Sequence, residues 1–195
     1  MIESKLISKA LFTDKSCNNL EELLAKIGVK SHALMEQTHS DKVVHANEAG
    51  IYNSDGIITS NKNLGLVVRT ADCIPILLKD DINIGAIHVG WRGVKNKIIN
   101  NAIKHFNLSE LLMSVGPHAQ SCCYEVKEDV SKYLYKYIDI REGKKYLDMS
   151  QSLKELSNET GFQIEVSTIC TICDSSYNSY RENKTSKRQY GFIWI

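Results

Sequence analysis

The sequence has almost no net charge, few prolines and no long apolar run. Its 195 residues include 24 lysines and arginines against 23 acidic residues, a formal charge of +1, so neither nucleic acid nor an anionic membrane is an expected partner. No apolar stretch approaches the roughly 20 residues of a membrane span, and residues 1–10 lack the order of a signal peptide. We therefore expect a cytoplasmic protein.

The remaining composition is that of a globular domain. Hydrophobic residues make up 43% of the chain and charged residues 24%, and a chain of this length can bury a core without disulfide bonds. We see no linker, repeat or low-complexity segment, so residues 1–195 are predicted to form a single domain. The six cysteines are expected to be free thiols or ligands in a reducing compartment. The oligomeric state does not follow from the sequence.

Apolar patterning predicts strands mixed with helices. Apolar residues recur at helical spacing over residues 20–27, and further amphipathic helices are predicted over 94–106, 126–137 and 150–160. Short strands are predicted over residues 33–35, 42–45, 56–59, 64–69, 74–78, 82–89, 112–115, 164–167 and 189–195. Because helices and strands do not alternate strictly, this order favours a layered α+β domain over a doubly wound sheet.

Three possible metal ligands stand at the ends of predicted strands. His39 follows one strand, Cys73 stands between two apolar strands, and His88 lies near the end of the next. Two imidazoles and one thiolate are a normal set of Zn²⁺ ligands, with a fourth position for water. Each residue alone is more often structural, since a Cys between apolar strands is usually a small core residue. The spacing alone therefore leaves both interpretations open.

Polar residues near these ligands are candidates for an anion site. Gly90-Trp91-Arg92-Gly93 leads into a predicted helix, where backbone N–H groups and the Arg92 guanidinium could hold a phosphate. Arg69 and Asp72 precede Cys73 and could orient a substrate or tune the thiolate. By itself, however, such a segment is more often a turn with a packed tryptophan.

Several motifs come in the order found in a known family. They are Gln37-Thr38-His39-Ser40, Asp55-Gly56, Arg69-Thr70-Ala71-Asp72-Cys73-Ile74-Pro75, Ala86-Ile87-His88-Val89-Gly90-Trp91-Arg92-Gly93, Gly116-Pro117, Cys122-Cys123-Tyr124-Glu125-Val126, Cys170-Thr171, Ser179-Tyr180-Arg181 and Arg188-Gln189. Together they resemble the polyphenol oxidase or laccase-like family, which is also called peptidoglycan editing factor and purine nucleoside phosphorylase. The matches run from about Glu36 to the C-terminus.

The resemblance implies a layered α/β sandwich with mixed sheets, a fold shared with deamidases of the cytotoxic-necrotising-factor type. It implies a metal held by His39, Cys73 and His88. It also implies an enzyme, transferase and hydrolase, that phosphorolyses adenosine, inosine, guanosine and methylthioadenosine and deaminates adenosine. The oxidase name implies copper, but the chain has only six histidines and no His-x-His pair, so we expect zinc rather than the copper centres of a laccase.

Roles for individual residues follow from this resemblance and from the chemistry. Cys73, His88 and Asp72 are the expected catalytic residues, with Asp72 as the acid–base group because these motifs hold no equivalent of the glutamate that zinc deaminases use. The residues expected to bind the nucleoside and phosphate are Arg69, Gly90, Arg92, Gly93, Tyr180 and Arg181.

Two other functions stay open. The editing-factor name implies an amidase that removes a wrong amino acid from a UDP-MurNAc-aminoacyl precursor, with Cys73 and His88 as nucleophile and base. The other is a non-catalytic, metal-stabilised nucleoside-binding protein. Leu20 stands where the family carries an arginine on its first helix, and substrate affinity would change if that arginine binds phosphate or sugar.

The remaining cysteines and one histidine complete the set of candidates. Cys170 and Cys173 have zinc-knuckle or redox spacing, but a knuckle needs a second pair of ligands. Cys122 and Cys123 are adjacent in sequence, which suits chelation poorly, so we expect Cys170 and Cys173 to be ordinary thiols. Cys122-Cys123 is expected to be structural packing, with Cys123 a candidate to face the site. His118, after Gly116-Pro117, is a candidate for the wall of the site.

Overall fold

Two six-stranded mixed sheets form the centre of the computed structural model, which describes residues 1–17 and 19–195. Sheet 1 contains, in spatial order, β1 (Ile2–Glu3), β2 (Ala10–Phe12), β15 (Gln189–Ile193), β7 (Gly65–Thr70), β3 (His32–Glu36) and β5 (Gly50–Asn53). Sheet 2 contains β14 (Gln163–Val166), β10 (Leu112–Val115), β8 (Ile74–Lys79), β9 (Ile84–Val89), β6 (Gly56–Thr59) and β4 (Val43–His45). A small third sheet consists of β11 (Glu125–Val126), β13 (Lys144–Leu147) and β12 (Ile138–Arg141).

The described residues form helices of 4–12 residues beside the sheets. They are α1 (Leu20–Lys26), α2 (Trp91–Lys95), α3 (Ile98–Ile103), α4 (Glu128–Ser131), α5 (Met149–Thr160) and α6 (Tyr180–Asn183), with a 3₁₀ turn at Tyr135–Tyr137. Over residues 1–17 and 19–195, every helix is too short or too polar to cross a bilayer.

The central strands are buried on both faces, which explains why they lack an alternating polar pattern. Along β8, Leu77 packs between the two sheets, whereas Ile76 and Leu78 join the core between sheet 2 and the helices. Along β7, Val68 packs between the sheets and Val67 faces the layer that contains α1. The order of layers is therefore α1, sheet 1, sheet 2, and then α2 to α5.

The prediction of an α+β fold with mixed sheets is confirmed, but two predicted helices are wrong in extent. The helix expected over residues 94–106 is divided into α2 and α3 at Lys97, which has a left-handed φ of 60°. The helix expected over 126–137 is reduced to α4 and the 3₁₀ turn, and Val126 belongs to β11. Elements that were not predicted from the sequence are β1, β2, β5, the β12–β13 hairpin and α6.

The register of sheet 2 gathers the residues of the site at one edge. Strands β8 and β9 are antiparallel, with Pro75 opposite His88, so Cys73, which directly precedes β8, lies near His88. Strand β6 pairs with the other side of β9, with Gly56 opposite Ile87, which brings Asp55 to the same edge. Asp55, Cys73 and His88, which belong to three separate segments of the sequence, therefore lie close together.

Candidate metal centre and binding pocket

His39, Cys73 and His88 converge at this edge of sheet 2. Their ligand atoms all lie within 4.8 Å of one another, and the Cys73 Sγ is 3.7 Å from the His39 Nε2. The two imidazole rings meet edge to face, with centroids 4.8 Å apart. His88 is buried, whereas His39 and Cys73 are half-buried and reach the surface of a pocket. One cation can therefore contact all three residues and still face a substrate.

Asp55 orients two of the three ligands. It is fully buried, and its Oδ1 accepts hydrogen bonds from the His88 Nδ1 at 2.7 Å and from the His39 backbone N–H at 3.0 Å. Its Oδ2 accepts from the backbone and hydroxyl of Ser40. Because the Nδ1 of His88 is occupied in this way, its Nε2 is left for the metal. The sequence motif Asp55-Gly56 was noted, but this role was missed.

The environment of Asp55 keeps the carboxylate ionised. Burial raises its pKa, but the hydrogen bonds from His88 and Ser40 outweigh burial and hold the pKa below its usual range. The same carboxylate fixes the turn that carries His39, a non-glycine residue with a left-handed φ of 61°. The strained turn is therefore maintained by the residue that also orients His88.

Cys73 and His88 stabilise each other's charged forms. Burial disfavours both charges, but attraction to His88 and a hydrogen bond to His39 lower the pKa of Cys73 to about 6. Attraction to Cys73 and the bond to Asp55 likewise outweigh burial and raise the pKa of His88 to about 9. These shifts favour the thiolate of Cys73 and the imidazolium of His88, and a metal bound by both residues would displace the imidazolium proton.

Gly90 makes room for this cluster. A Cβ atom at this position would lie 2.8 Å from the His39 Cδ2 and 3.2 Å from the Cys73 Sγ, so any side chain would push the ligands apart. Gly93 lies elsewhere: it is buried, and the atoms nearest to its position belong to Ile98 and Val89. Neither glycine is among the residues that line the pocket.

A pocket of about 670 Å³ opens in front of the three ligands. Five cationic side chains line it together with a single acid, Asp72, although the whole chain has a charge of only +1. The cations are Arg69, Arg92, Arg181, Lys184 and Arg188, and the aromatic lining residues are Trp91, Tyr124 and Tyr180. A concave surface with this charge attracts anions, and its rings suit a flat base.

The cationic residues are held in place by neighbouring groups. The Arg69 guanidinium donates to the Met35 carbonyl at 3.0 Å, and the Arg69 backbone exchanges two hydrogen bonds with the Gln37 side chain. The Arg92 guanidinium lies over the Trp91 ring, and the Arg181 guanidinium over the Tyr124 ring. Lys184 and Arg188 were missed in the sequence analysis, although Arg188 belongs to one of the motifs.

Asp72 connects the walls of the pocket. It is buried with a left-handed φ of 85°, and its two carboxylate oxygens accept hydrogen bonds from the Thr171 hydroxyl at 2.8 Å and the Arg181 backbone N–H at 2.6 Å. Its carbonyl accepts from the Ala119 N–H at 2.9 Å. Asp72 therefore borders the pocket, but both of its carboxylate oxygens are engaged with the protein itself.

His118 lies behind the wall rather than in it. Its ring is buried, its Nδ1 donates to the Gly116 carbonyl at 2.8 Å, and it does not line the pocket. Burial lowers its pKa, so its neutral form is favoured. The structure thus assigns this histidine to the support of the loop around residues 116–120.

The two cysteine pairs of the sequence, Cys122-Cys123 and Cys170 with Cys173, also come together. The sulfur atoms of Cys122, Cys123, Cys170 and Cys173 lie within 4.8 Å of one another. Cys122 and Cys123, which their adjacency in sequence made poor chelators, are thus close enough to form the second pair of possible ligands. A parallel bridge between His118 and Cys170 aligns the two segments, an encounter that sequence spacing does not reveal.

The fold and the histidine–cysteine cluster define an α+β protein with a candidate metal site, and proteins of known structure share this fold. A Neisseria meningitidis protein of the family called DUF152 superposes with a TM-score of 0.81 at 26% identity, over 90% of this chain and 78% of that one. YlmD from Geobacillus stearothermophilus has the same fold, with a TM-score of 0.80 at 24% identity over 93% of this chain and 81% of its own.

The chain belongs to the family described as multi-copper polyphenol oxidoreductase laccase, whose model matches residues 13–195. It is 37% identical over 165 residues to a purine nucleoside phosphorylase of Aquifex aeolicus, covering 82% of this chain and 80% of that protein. It is 30% identical over 200 residues to a purine nucleoside phosphorylase of Clostridium acetobutylicum, covering 93% and 84%. The resemblance inferred from the motifs is confirmed.

Proposed function

We propose that the chain is a zinc-dependent purine nucleoside phosphorylase that acts on adenosine, inosine and methylthioadenosine. The observation that carries the proposal is the pocket in front of His39, Cys73 and His88, where five cations and three aromatic rings surround a cluster of metal ligands. Such a pocket suits a substrate pair made of an inorganic anion and a flat, neutral nucleoside. The enzyme names carried by its relatives agree with this choice.

The donor set fits zinc better than the copper centres of an oxidase. One thiolate and two imidazoles, with Asp55 bonded to the far side of one imidazole, match the ligands and outer partners of a catalytic zinc. Over residues 1–17 and 19–195, the other close group of ligands consists of four cysteines, so no histidine-rich centre is built. Zinc bound here would act as a Lewis acid toward negative charge on the substrates.

The pocket residues would position both substrates. In phosphorolysis, a phosphate oxygen forms a bond to the ribose C1′ while the bond from C1′ to the base nitrogen breaks, and the base leaves with the electron pair. Arg92, Arg181 and Lys184 would hold and orient the phosphate. The Tyr180 ring, which lines the pocket and is 52% exposed, is available to stack on the purine.

Deamination of adenosine is the weaker part of the proposal. The expected acid–base group was Asp72, yet its carboxylate accepts hydrogen bonds from Thr171 and Arg181 through both oxygens. A carboxylate used in this way positions Arg181 and the loop of Thr171 rather than moving protons. We therefore place phosphorolysis first and test deamination in the same assay.

The test measures products with and without phosphate. Zinc-loaded protein is incubated with inosine or adenosine, and free base, ribose 1-phosphate and ammonia are quantified. We expect release of the base only with phosphate, in equal amounts with ribose 1-phosphate, and complete loss in Cys73→Ala. Arg92→Gln should lower kcat/KM for phosphate about 10- to 100-fold, the cost of a charged hydrogen bond. Lys62→Gln, at an exposed turn, removes the same charge and should have no effect.

A second candidate is the amidase that acts on a cell-wall precursor. It is favoured by the paired charges of Cys73 and His88, which would provide a nucleophilic thiolate and a proton donor, and by cations that suit a diphosphate. Cleavage of the precursor amide, with nucleosides unchanged, would replace the first proposal with this one. Nucleoside binding without turnover of either substrate would indicate the non-catalytic alternative.

A further inference from the structure

A second group of ligands lies outside the pocket and has no part in the chemistry proposed above. Cys122 and Cys123 come from the loop after β10, and Cys170 and Cys173 from the loop after β14. The Cys173 Sγ is 2.6 Å from the Cys123 Sγ and 3.4 Å from the Cys122 Sγ. All four sulfurs lie within 4.8 Å of one another, although about 50 residues separate the pairs.

The backbone of each loop presents its two thiols to the other loop. Cys170 and Cys173 lie in one turn, which is closed by a hydrogen bond from the Asp174 N–H to the Cys170 carbonyl at 3.0 Å. On the other side, the Cys123 and Tyr124 N–H groups both donate to the Gln120 carbonyl, at 3.0 and 2.8 Å. This second turn directs two adjacent cysteines toward one point, a geometry that an extended chain could not provide.

Backbone N–H groups surround the Cys170 sulfur. Its Sγ accepts a hydrogen bond from the Gln120 N–H at 3.4 Å and is also approached by the N–H groups of Ile172 and Cys173. Hydrogen bonds of this kind orient a ligand atom and support it from outside the metal site.

We propose that Cys122, Cys123, Cys170 and Cys173 bind one Zn²⁺ in a closed, structural site. Tetrahedral zinc with sulfur ligands at about 2.3 Å separates the sulfurs by roughly 3.8 Å, which small rotations of these side chains reach from the present spacing. Four thiolates leave no open position for a substrate, so this site differs in kind from the cluster of His39, Cys73 and His88. A Cys123–Cys173 disulfide is the competing outcome, since it would use the two nearest sulfurs.

The zinc would brace one wall of the binding pocket. Tyr124, directly after Cys123, lines the pocket, and Thr171, directly after Cys170, donates its hydroxyl hydrogen bond to Asp72. Asp72 in turn accepts from the Arg181 backbone at 2.6 Å. Residues 116–124 and 167–179 contain no helix or strand of the described structure. A metal cross-link between these loops therefore supplies the rigidity that hydrogen-bonded elements provide elsewhere.

Metal content of the full chain tests the proposal without reference to turnover. Protein purified under reducing conditions should hold two zinc ions, and Cys73→Ala should keep one. The double variant Cys122→Ser/Cys173→Ser should also hold one and should melt at a lower temperature, whereas Cys17→Ser, a free cysteine outside both groups, should match the parent chain in both respects. Two zinc ions retained in the double variant would overturn the proposal.

Cobalt spectroscopy keeps the test decisive even if the double variant does not fold. Co²⁺ loaded into Cys73→Ala should give the visible bands of a tetrahedral ion and a near-ultraviolet thiolate-to-cobalt absorption typical of four sulfur ligands. Absence of that absorption, or a mass two hydrogens lower that identifies a Cys123–Cys173 disulfide in the reduced preparation, would overturn the proposal. Nucleoside turnover enters neither measurement, so failure here is distinct from failure of the proposed phosphorylase.

Discussion

At the scale of single residues, the orientation of the candidate metal ligands depends on Asp55. This carboxylate accepts four backbone or side-chain hydrogen bonds from His88, His39 and Ser40, and a fifth from the Thr38 N–H. Outer partners of this kind set the direction of an imidazole and raise its basicity. A residue outside the ligand set therefore controls two of the three ligands.

We expect Asp55→Asn to weaken metal binding about 10- to 100-fold, the usual effect of losing such a partner. The amide cannot accept through both former oxygens, so stability should also fall by about 1–3 kcal/mol. The measurements are zinc affinity by chelator competition and the free energy of unfolding.

Asp80→Asn is the matched control for this variant. Asp80 is also buried and accepts from the N–H groups of Ile82, Asn83 and Asn107, but it lies at the far end of sheet 2. The Asp80→Asn variant should lose as much stability as Asp55→Asn but keep the zinc affinity of the parent protein. Equal zinc affinity in both variants would show that Asp55 serves the fold alone.

Gly90→Ala should reduce metal occupancy while the fold is kept. Its Cβ would stand 2.8 Å from the His39 ring, so the imidazole would have to leave its present position. Zinc content after dialysis is the measurement. Gly85→Ala is the control, because its Cβ would approach the Phe106 ring at 3.1 Å, in the core and away from the ligands. A variant at position 90 that retains full zinc would contradict this account of the glycine.

At the scale of elements, the sequence predicted which residues are buried better than it predicted where helices break and strands begin. The apolar residues predicted on one helix over 94–106 do lie in a single core, and Ile98, Ile99 and Ala102 are buried there. The break at Lys97 was not predictable, because helical spacing persists when a turn preserves the direction of the buried face. The β12–β13 hairpin was missed because charged residues dilute its apolar pattern, although Glu142-Gly143, both with positive φ, is a two-residue hairpin turn.

The residues of the site were predictable from the sequence, but the way in which the fold brings them together was not. The three ligands were proposed from chemistry and motif order, and their convergence depends on the pairing of β6, β8 and β9, which no local pattern encodes. Lys184 is the contrasting case: it stands in a polar segment after α6, and only the fold brings it to the pocket. The same reasoning explains the two cysteine pairs, whose meeting required the alignment of two loops.

One glutamate connects the N-terminal segment to the edge of sheet 2. Glu165, in β14, accepts hydrogen bonds from the hydroxyls of Ser114 and Ser4, which belong to β10 and to the loop after β1. Burial raises its pKa, but these bonds outweigh burial and lower it below the ordinary value of 4.5. The stabilisation is therefore present above that ordinary value and is lost as pH falls through it toward the folded pKa.

Glu165→Gln should accordingly melt below the parent protein at neutral pH, and the difference should shrink as the pH is lowered past about 4.5. Melting temperatures over a pH series measure this convergence. Glu110→Gln, at an exposed position, should parallel the parent at every pH. A constant difference between Glu165→Gln and the parent would mean that ionisation of the carboxyl is not what holds the segment.

At the scale of the whole molecule, charge is distributed unevenly. The chain as a whole is nearly neutral, with 24 basic against 23 acidic residues, yet five cations and one acid line the pocket. A low-dielectric cleft focuses such a field, so the pocket concentrates anions without making the protein generally basic. The proposed binding of phosphate is therefore compatible with a net charge from which no nucleic-acid partner is expected.

Salt screens exposed charges, so the attraction of the pocket for phosphate should weaken as the ionic strength rises. Raising NaCl from about 0.05 to about 0.5 M shortens the screening length severalfold and should raise KM for phosphate roughly tenfold, with little change in kcat. The double variant Arg92→Gln/Lys184→Gln should have a high KM for phosphate already at low salt. This KM should change little as NaCl is added. Lys26→Gln/Lys62→Gln, which removes two charges outside the pocket, should follow the parent curve. If both double variants keep the parent's salt dependence, the pocket cations do not attract the phosphate, and direct binding at the metal would have to account for its affinity.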